Sequence, residues 1–207
     1  LEHKFNKTFT ARQNVRYANV DSELKGVFPY NSAGFLDADS RLVDRDVSFY
    51  QDQTKTFTLD NQLQADFATG EVQHTFLSGL DFRHFVSNRQ TGSVWGAATN
   101  FDIYAPVYGQ PFDDVIGGSG TFTRPNISQR FDQDLDQIGF YGQDQLKWNR
   151  WIATIGVRTD WVSTSSVNTD YQTNGGTEGS NIVDYANPAY TATQQDNEAF
   201  TYRTGLS

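Results

Sequence analysis

The densest run of metal-capable side chains is Asp132, Asp134 and Asp136, three carboxylates at alternate positions. Oxygen ligands of this kind suit Ca²⁺, but no glycine-containing EF-type loop follows to wrap an ion. The run is therefore read as one charged face of a strand. His3, His74 and His84 lack the paired spacing of a zinc site, so no metal site is expected. The chain has no cysteine, which removes thiolate ligands, thiol nucleophiles and disulfides together. No serine sits in a nucleophile elbow, so no hydrolytic triad is supported, and no enzyme is expected. A net charge of −9 argues against nucleic acid as a partner. What remains is non-covalent recognition. The 207 residues include 16 Phe, 10 Tyr and 4 Trp, a set able to line a mostly apolar ligand site. Phe28, Tyr30, Trp95, Phe101, Tyr104 and Tyr108 fall in long polar stretches and form the candidate ligand-contact set. Each can instead be an anchor that packs its own loop. That reading is favoured for Phe101 and Tyr104 beside Pro106, whereas Trp95, between Val94 and Gly96, is the better contact.

The elements that must position these residues show period-2 alternation with little helical periodicity. Phe9, Ala11, Val15 and Tyr17 share one parity, with Arg12 and Arg16 on the other. Phe57, Leu59, Leu63 and Phe67 alternate with Asp60, Gln62, Gln64 and Asp66. Further sets run over Val72 to Phe82, Ile138 to Trp148 (broken by Asp144) and Trp151 to Trp161. Such alternation fits a lipid-embedded barrel wall with a wet interior, and equally a soluble antiparallel sheet with one buried face. Connection lengths favour the wall. Short turns near Asn6-Lys7, at Ala68 to Glu71 and at Asn149-Arg150 alternate with long polar stretches, roughly Asp21 to Asp44, Asn88 to Asp132 and Ser166 to Asn197. Compact soluble domains seldom carry loops beyond ~12–15 residues, whereas outer-membrane barrels alternate short and long connections. Trp148 and Trp151 flank a turn beside Lys147 and Arg150, as interfacial aromatics do, with Trp161 assigned the same role. Packing in a hairpin corner is their alternative role. The chain lacks methionine and opens directly into strand-like sequence, as an internal fragment or processed chain does.

Five segments then carry a resemblance. Gln137-Ile138-Gly139-Phe140-Tyr141-Gly142-Gln143-Asp144-Gln145-Leu146-Lys147-Trp148 is similar to the "tGlYlQDQikW" strand of TonB-dependent siderophore receptors. The segment from Trp151 to Trp161 resembles the next strand of that family, with Thr159 where a tyrosine is usual. Asp196 to Leu206 resembles the family's "D..FT.R.GL", His74 to Phe82 its "HtlL.GlDy", and Phe101 to Gly109 its "iy.PvYg" loop motif. The nearest branch is that of the ferrichrome and other ferric hydroxamate receptors. The resemblance implies an all-β fold, an antiparallel transmembrane barrel fragment. About seven strand segments, roughly the fifth to tenth strands of 22, would carry long extracellular loops and short periplasmic turns. Residues 1–207 would all belong to the barrel domain; nothing resembles the N-terminal plug, the TonB box or the later strands. The implied function is import of ferric siderophores across the outer membrane of a Gram-negative bacterium. The transported iron complex is cargo, and no cofactor is expected. Outer-membrane lipid and, through the plug, the TonB–ExbB–ExbD complex are the implied partners. Arg12, Arg16, Asp60, Asp66, Arg158 and Asp160 would face the lumen, paired with one another or with the plug; pairing across the inner wall is the default. A general diffusion porin or structural barrel is the alternative, and a soluble β-sandwich binding module a third.

Overall fold

A computed structural model of the chain describes residues 1–30, 37–109, 127–171 and 184–207, with the side chains at 30, 46–47 and 93–100 outside the description. Seven strands form one sheet: β1 (Glu2–Lys4), β2 (Phe9–Tyr30), β3 (Leu42–Thr69), β4 (Val72–Asp102), β5 (Gln129–Trp148), β6 (Trp151–Asp170) and β7 (Ala189–Leu206). They pair in sequence order, every neighbour antiparallel. No helix among the described residues is long and apolar enough to cross a membrane.

Tight turns close one end of the sheet. In the Gly70-Glu71 and Asn149-Arg150 connections the first residue has positive φ, 63° and 53°, as the mirror-image hairpin turns require. The Asn6 carboxamide oxygen accepts the N–H groups of Thr8 and Phe9, both at 2.8 Å, and so organises the β1–β2 turn. Longer connections lie at the other end, 31–41, 103–128 and 171–188.

The register lines like side chains into rows across the sheet. One row on the first face reads Val15–Leu59–Phe82–Ile138–Trp161. A row on the opposite face reads Asn14–Asp60–Asp81–Gly139–Asp160. Among the described residues only Val43, Phe49 and Ala65 are buried apolar side chains. Phe9, Val15, Leu63, Leu80, Phe140, Ile155, Phe200 and others of the apolar face stand exposed. An apolar face left exposed in this way suits a barrel wall, whose outer side meets lipid. The fold is that of a barrel wall. Trp151 and Trp161 lie ten steps apart on the same parity of β6, ~33 Å of strand, or ~25 Å of height at a ~40° tilt, which matches the apolar band of a barrel wall.

The strands extend past the boundaries the polar composition suggests. Much of Asp21 to Asp44, Asn88 to Asp132 and Ser166 to Asn197 is paired strand: β2 continues to Tyr30, β4 to Asp102 and β6 to Asp170, and each partner begins correspondingly early. Backbone pairing satisfies N–H and C=O groups whatever the side chains, so Gly, Asn, Ser and Thr do not end a ladder held in register below. Above the band the two faces exchange character. On β2, Asn19, Asp21, Glu23 and Lys25 continue the apolar parity, while Val20, Leu24 and Phe28 continue the polar one.

Candidate functional site

Three groups of side chains stand out: a rim cluster at the long-connection end, a polar network on the inner face, and aromatic positions on the lipid face.

The rim cluster forms where β3 begins and β4 ends. The Asp37 carboxylate accepts the N–H groups of Arg41 and Leu42, each at 2.8 Å, and so fixes the start of β3. The Arg41 guanidinium donates to Asp102 at 2.7 and 3.2 Å. The other Asp102 oxygen accepts the N–H groups of Tyr104 at 2.8 Å and Ala105 at 3.1 Å. The Arg41 guanidinium holds the Asp102 carboxyl below its ordinary range, aided by the Tyr104 N–H. The Leu42 N–H does the same for Asp37. Over this frame Arg41 lies 5.7 Å from the Tyr104 ring centroid and Arg45 lies 5.2 Å from that of Phe101. Phe101 meets Tyr108 edge-on at 6.1 Å. Tyr104 and Tyr108 are 70% and 82% exposed, so their faces are available to a ligand.

The candidate aromatics divide on this geometry. Phe101, Tyr104 and Tyr108 come together; Phe28 sits on β2 opposite Asp46, its ring against Gly26. Tyr30 and Trp95 fall on β2 and β4, their side chains outside the described residues. The expectation that all six lie on loops is therefore corrected. Only Tyr104 and Tyr108 do, because the hairpins continue beyond the membrane band. No local pattern marks Arg41, Arg45 and Asp102 as the frame, since the pairing joins positions some sixty residues apart.

On the inner face two adjacent rows interlock. Arg158 donates to Asp81 at 2.7 Å and to Asp160, by Nε at 2.7 Å and Nη2 at 2.5 Å. The Gln137 amide donates to Asp160 at 2.9 Å. The Tyr141 hydroxyl donates to Asp60 at 2.9 Å, and the Gln62 amide to the same carboxylate at 2.6 Å. Two glycines make these reaches possible. A side chain at Gly79 would meet the Tyr141 ring, and one at Gly139 would meet Arg158 and both of its partner carboxylates. Asp60 and Asp81 stand directly opposite each other, an arrangement that repels unless donors intervene. Arg12 pairs with Glu2 at 2.7 Å and donates to Gln64 at 2.7 Å. Asp66 accepts from Gln64 at 2.8 Å, and Arg16 is exposed opposite Thr58. All six lumen candidates thus share one face. Asp81, Tyr141 and Gln137 belong with them, and parity along each strand is the signal that marks them.

On the lipid face Trp148 and Trp151 are direct cross-strand partners, and Trp161 lies opposite Ile138. Asp144 interrupts this face, its carboxylate 2.7 Å from the His74 ring, which stacks on Phe67 at 4.6 Å. The second Asp144 oxygen is buried without a protein partner. Higher on the same face, pairing of β4 with β5 brings His84 to 2.8 Å from Asp136 and 3.9 Å from Asp134. The three ligand atoms lie within 4.8 Å of one another, a proximity that sequence spacing did not reveal. A histidine–carboxylate hydrogen bond on a charged strand face accounts for it.

Comparison with known proteins was consistent across sequence and fold. The family model described as TonB dependent receptor-like, beta-barrel matches residues 1–207. The ferrioxamine B receptor of Salmonella typhimurium is 33% identical over 167 residues, covering 81% of this chain and 21% of that protein. The ferrichrome outer membrane transporter/phage receptor of Escherichia coli K12 is 27% identical over 227 residues, covering 100% and 26%. The chain thus spans about a fifth to a quarter of the length of these relatives. Among solved structures, the ferric-catecholate import receptor Fiu of E. coli K12 superimposes with a TM-score of 0.78 at 18% identity, over 99% of this chain and 31% of that one. The siderophore receptor PiuA of Acinetobacter baumannii superimposes with a TM-score of 0.69 at 15% identity, covering 99% and 28%. At these identities the two structures establish the fold.

Proposed function

Because the chain belongs to the TonB-dependent receptor-like β-barrel family, we propose that it forms wall and rim of an outer-membrane receptor that imports ferric siderophores, with hydroxamate complexes favoured. The observation that carries the ligand class is the pair of relatives named for ferrioxamine B and ferrichrome, both iron hydroxamates. The rim chemistry is compatible with such cargo. A siderophore already satisfies its iron, so a receptor needs no metal ligands; it needs apolar faces and a few donors around a bulky organic shell. Exposed Tyr104 and Tyr108 supply faces, and Arg41 and Arg45 supply positive charge held in place by Asp102 and by Phe101. Phe28, Tyr30 and Trp95 are further contacts in this reading. The inner network is a stiff polar wall that carries no reaction of its own. Arg12, Arg16, Asp60, Asp66, Arg158 and Asp160 present it to a plug, whose movement on pulling by TonB–ExbB–ExbD opens the path.

Iron-limited growth tests this directly. A strain lacking hydroxamate uptake, supplied with the complete receptor, should grow on ferrioxamine or ferrichrome only while TonB is present. Growth on neither compound, or uptake of small solutes that persists without TonB, points to the diffusion-porin reading instead. Doubly substituted Tyr104→Ala and Tyr108→Ala receptor should bind the iron complex about ten-fold more weakly, the typical effect of losing recognition aromatics.

A further inference from the structure

At the short-turn end of the lipid face lies a groove of about 450 Å³ lined by Val72, Leu146, Trp148, Trp151, Ala153 and Leu206. The register places these residues on one face: Trp148 opposite Trp151, Leu146 opposite Ala153, and Ala153 opposite Leu206. The lining offers almost no polar surface, so water gains nothing there. Two charges of opposite sign attend its indoles. The Arg150 guanidinium sits 5.6 Å from the Trp151 ring centroid. Glu71 accepts the Trp148 indole N–H at 3.1 Å. Each charge is positioned by an indole rather than by the other, and neither has an ion-pair partner among the described residues.

We propose that this groove binds a zwitterionic glycerophospholipid with a primary ammonium headgroup, such as phosphatidylethanolamine. An acyl chain lies along Leu146 and Ala153 between the two indoles. The guanidinium takes the phosphate through paired N–H donors, and the Glu71 carboxylate takes the ammonium. Opposite charges beside an apolar slot complement this headgroup better than a glycerol one, because glycerol offers Glu71 no cation to pair with. The site lies beside the tight turns and away from the long connections, which selects a lipid of the turn-side leaflet. The inference rests on the chain being a membrane-spanning wall.

The complete receptor, purified in mild detergent, can be titrated with palmitoyl-oleoyl phosphatidylethanolamine or the phosphatidylglycerol of the same chains and read by native mass spectrometry. Retention of the ethanolamine lipid should exceed that of the glycerol lipid by about five-fold, the effect of one charge contact at a membrane surface. Glu71→Gln should abolish the preference while leaving both lipids bound. Arg150→Gln should weaken both. Equal retention by the unsubstituted receptor, or a preference that survives Glu71→Gln, overturns the proposal, as does a second copy of the receptor filling the groove in place of lipid. Insertion of each variant into the membrane and its heat-modifiable migration on gels are scored in parallel. A receptor that inserts normally but shows no preference sinks only this site; one that never inserts sinks the membrane reading beneath it.

Discussion

Arg41 and Asp102 decide how far the rim aromatics can move, because the same carboxylate that grips Arg41 also accepts the N–H groups of Tyr104 and Ala105. The Asp102 carboxyl lies below its ordinary value of 3.8 in the folded chain, chiefly through Arg41. A lowered carboxyl contributes order above its ordinary value and loses it as pH falls through the lower, folded value. Protection of the 103–109 segment from protease should therefore hold at neutral pH and fade only below about pH 4. Asp102→Asn should expose the same segment already at pH 7, and a segment equally protected in that variant would refute the clamp. Little of this was legible beforehand. Their place beside Pro106 marks Phe101 and Tyr104 as loop anchors. The actual clamp joins Arg41 to Asp102 across the start of β3 and the end of β4, a contact no local spacing encodes.

At the scale of elements, alternation identified the strands, and the pairing explains its exceptions. Asp144 looks misplaced on an apolar parity until β4 sets His74 beside it and Phe67 beneath the ring. Removing one partner of such a pair leaves an uncompensated charge against lipid, whereas replacing both by apolar groups is often neutral. His74→Leu alone should lower barrel stability by about 3 kcal/mol, and His74→Leu with Asp144→Leu by under about 1 kcal/mol. Heat-modifiability midpoints in gels measure both, and equal losses would mean that the pair is not a unit. Glycines behave similarly. Gly79 and Gly139, having no side chains of their own, are the openings through which Tyr141 and Arg158 reach their carboxylates.

For the whole molecule, the proposed receptor sets the face of opposed carboxylates and arginines against a plug. Like-charge contact across a docked surface costs several kcal/mol, so Arg12→Glu with Arg16→Glu should cut siderophore uptake at least about ten-fold and leave the plug open to protease. Unchanged uptake with an unchanged digestion pattern would assign both arginines to the wall alone, in keeping with the Arg12–Glu2 pair. The sequence by itself determined the strand class, the parity of each face, the short turns and, through five ordered motifs, the family. Those properties are local: a period of two, a turn residue and a motif are each complete within a dozen positions. The outward apolar face was legible as well, from connection lengths and the resemblance; tertiary structure alone decided the register. It also decided that strands continue past the membrane band, and that Asp60, Asp81, Tyr141 and Arg158 form one network across four strands. These depend on register, and register is fixed by pairing between segments far apart in the chain.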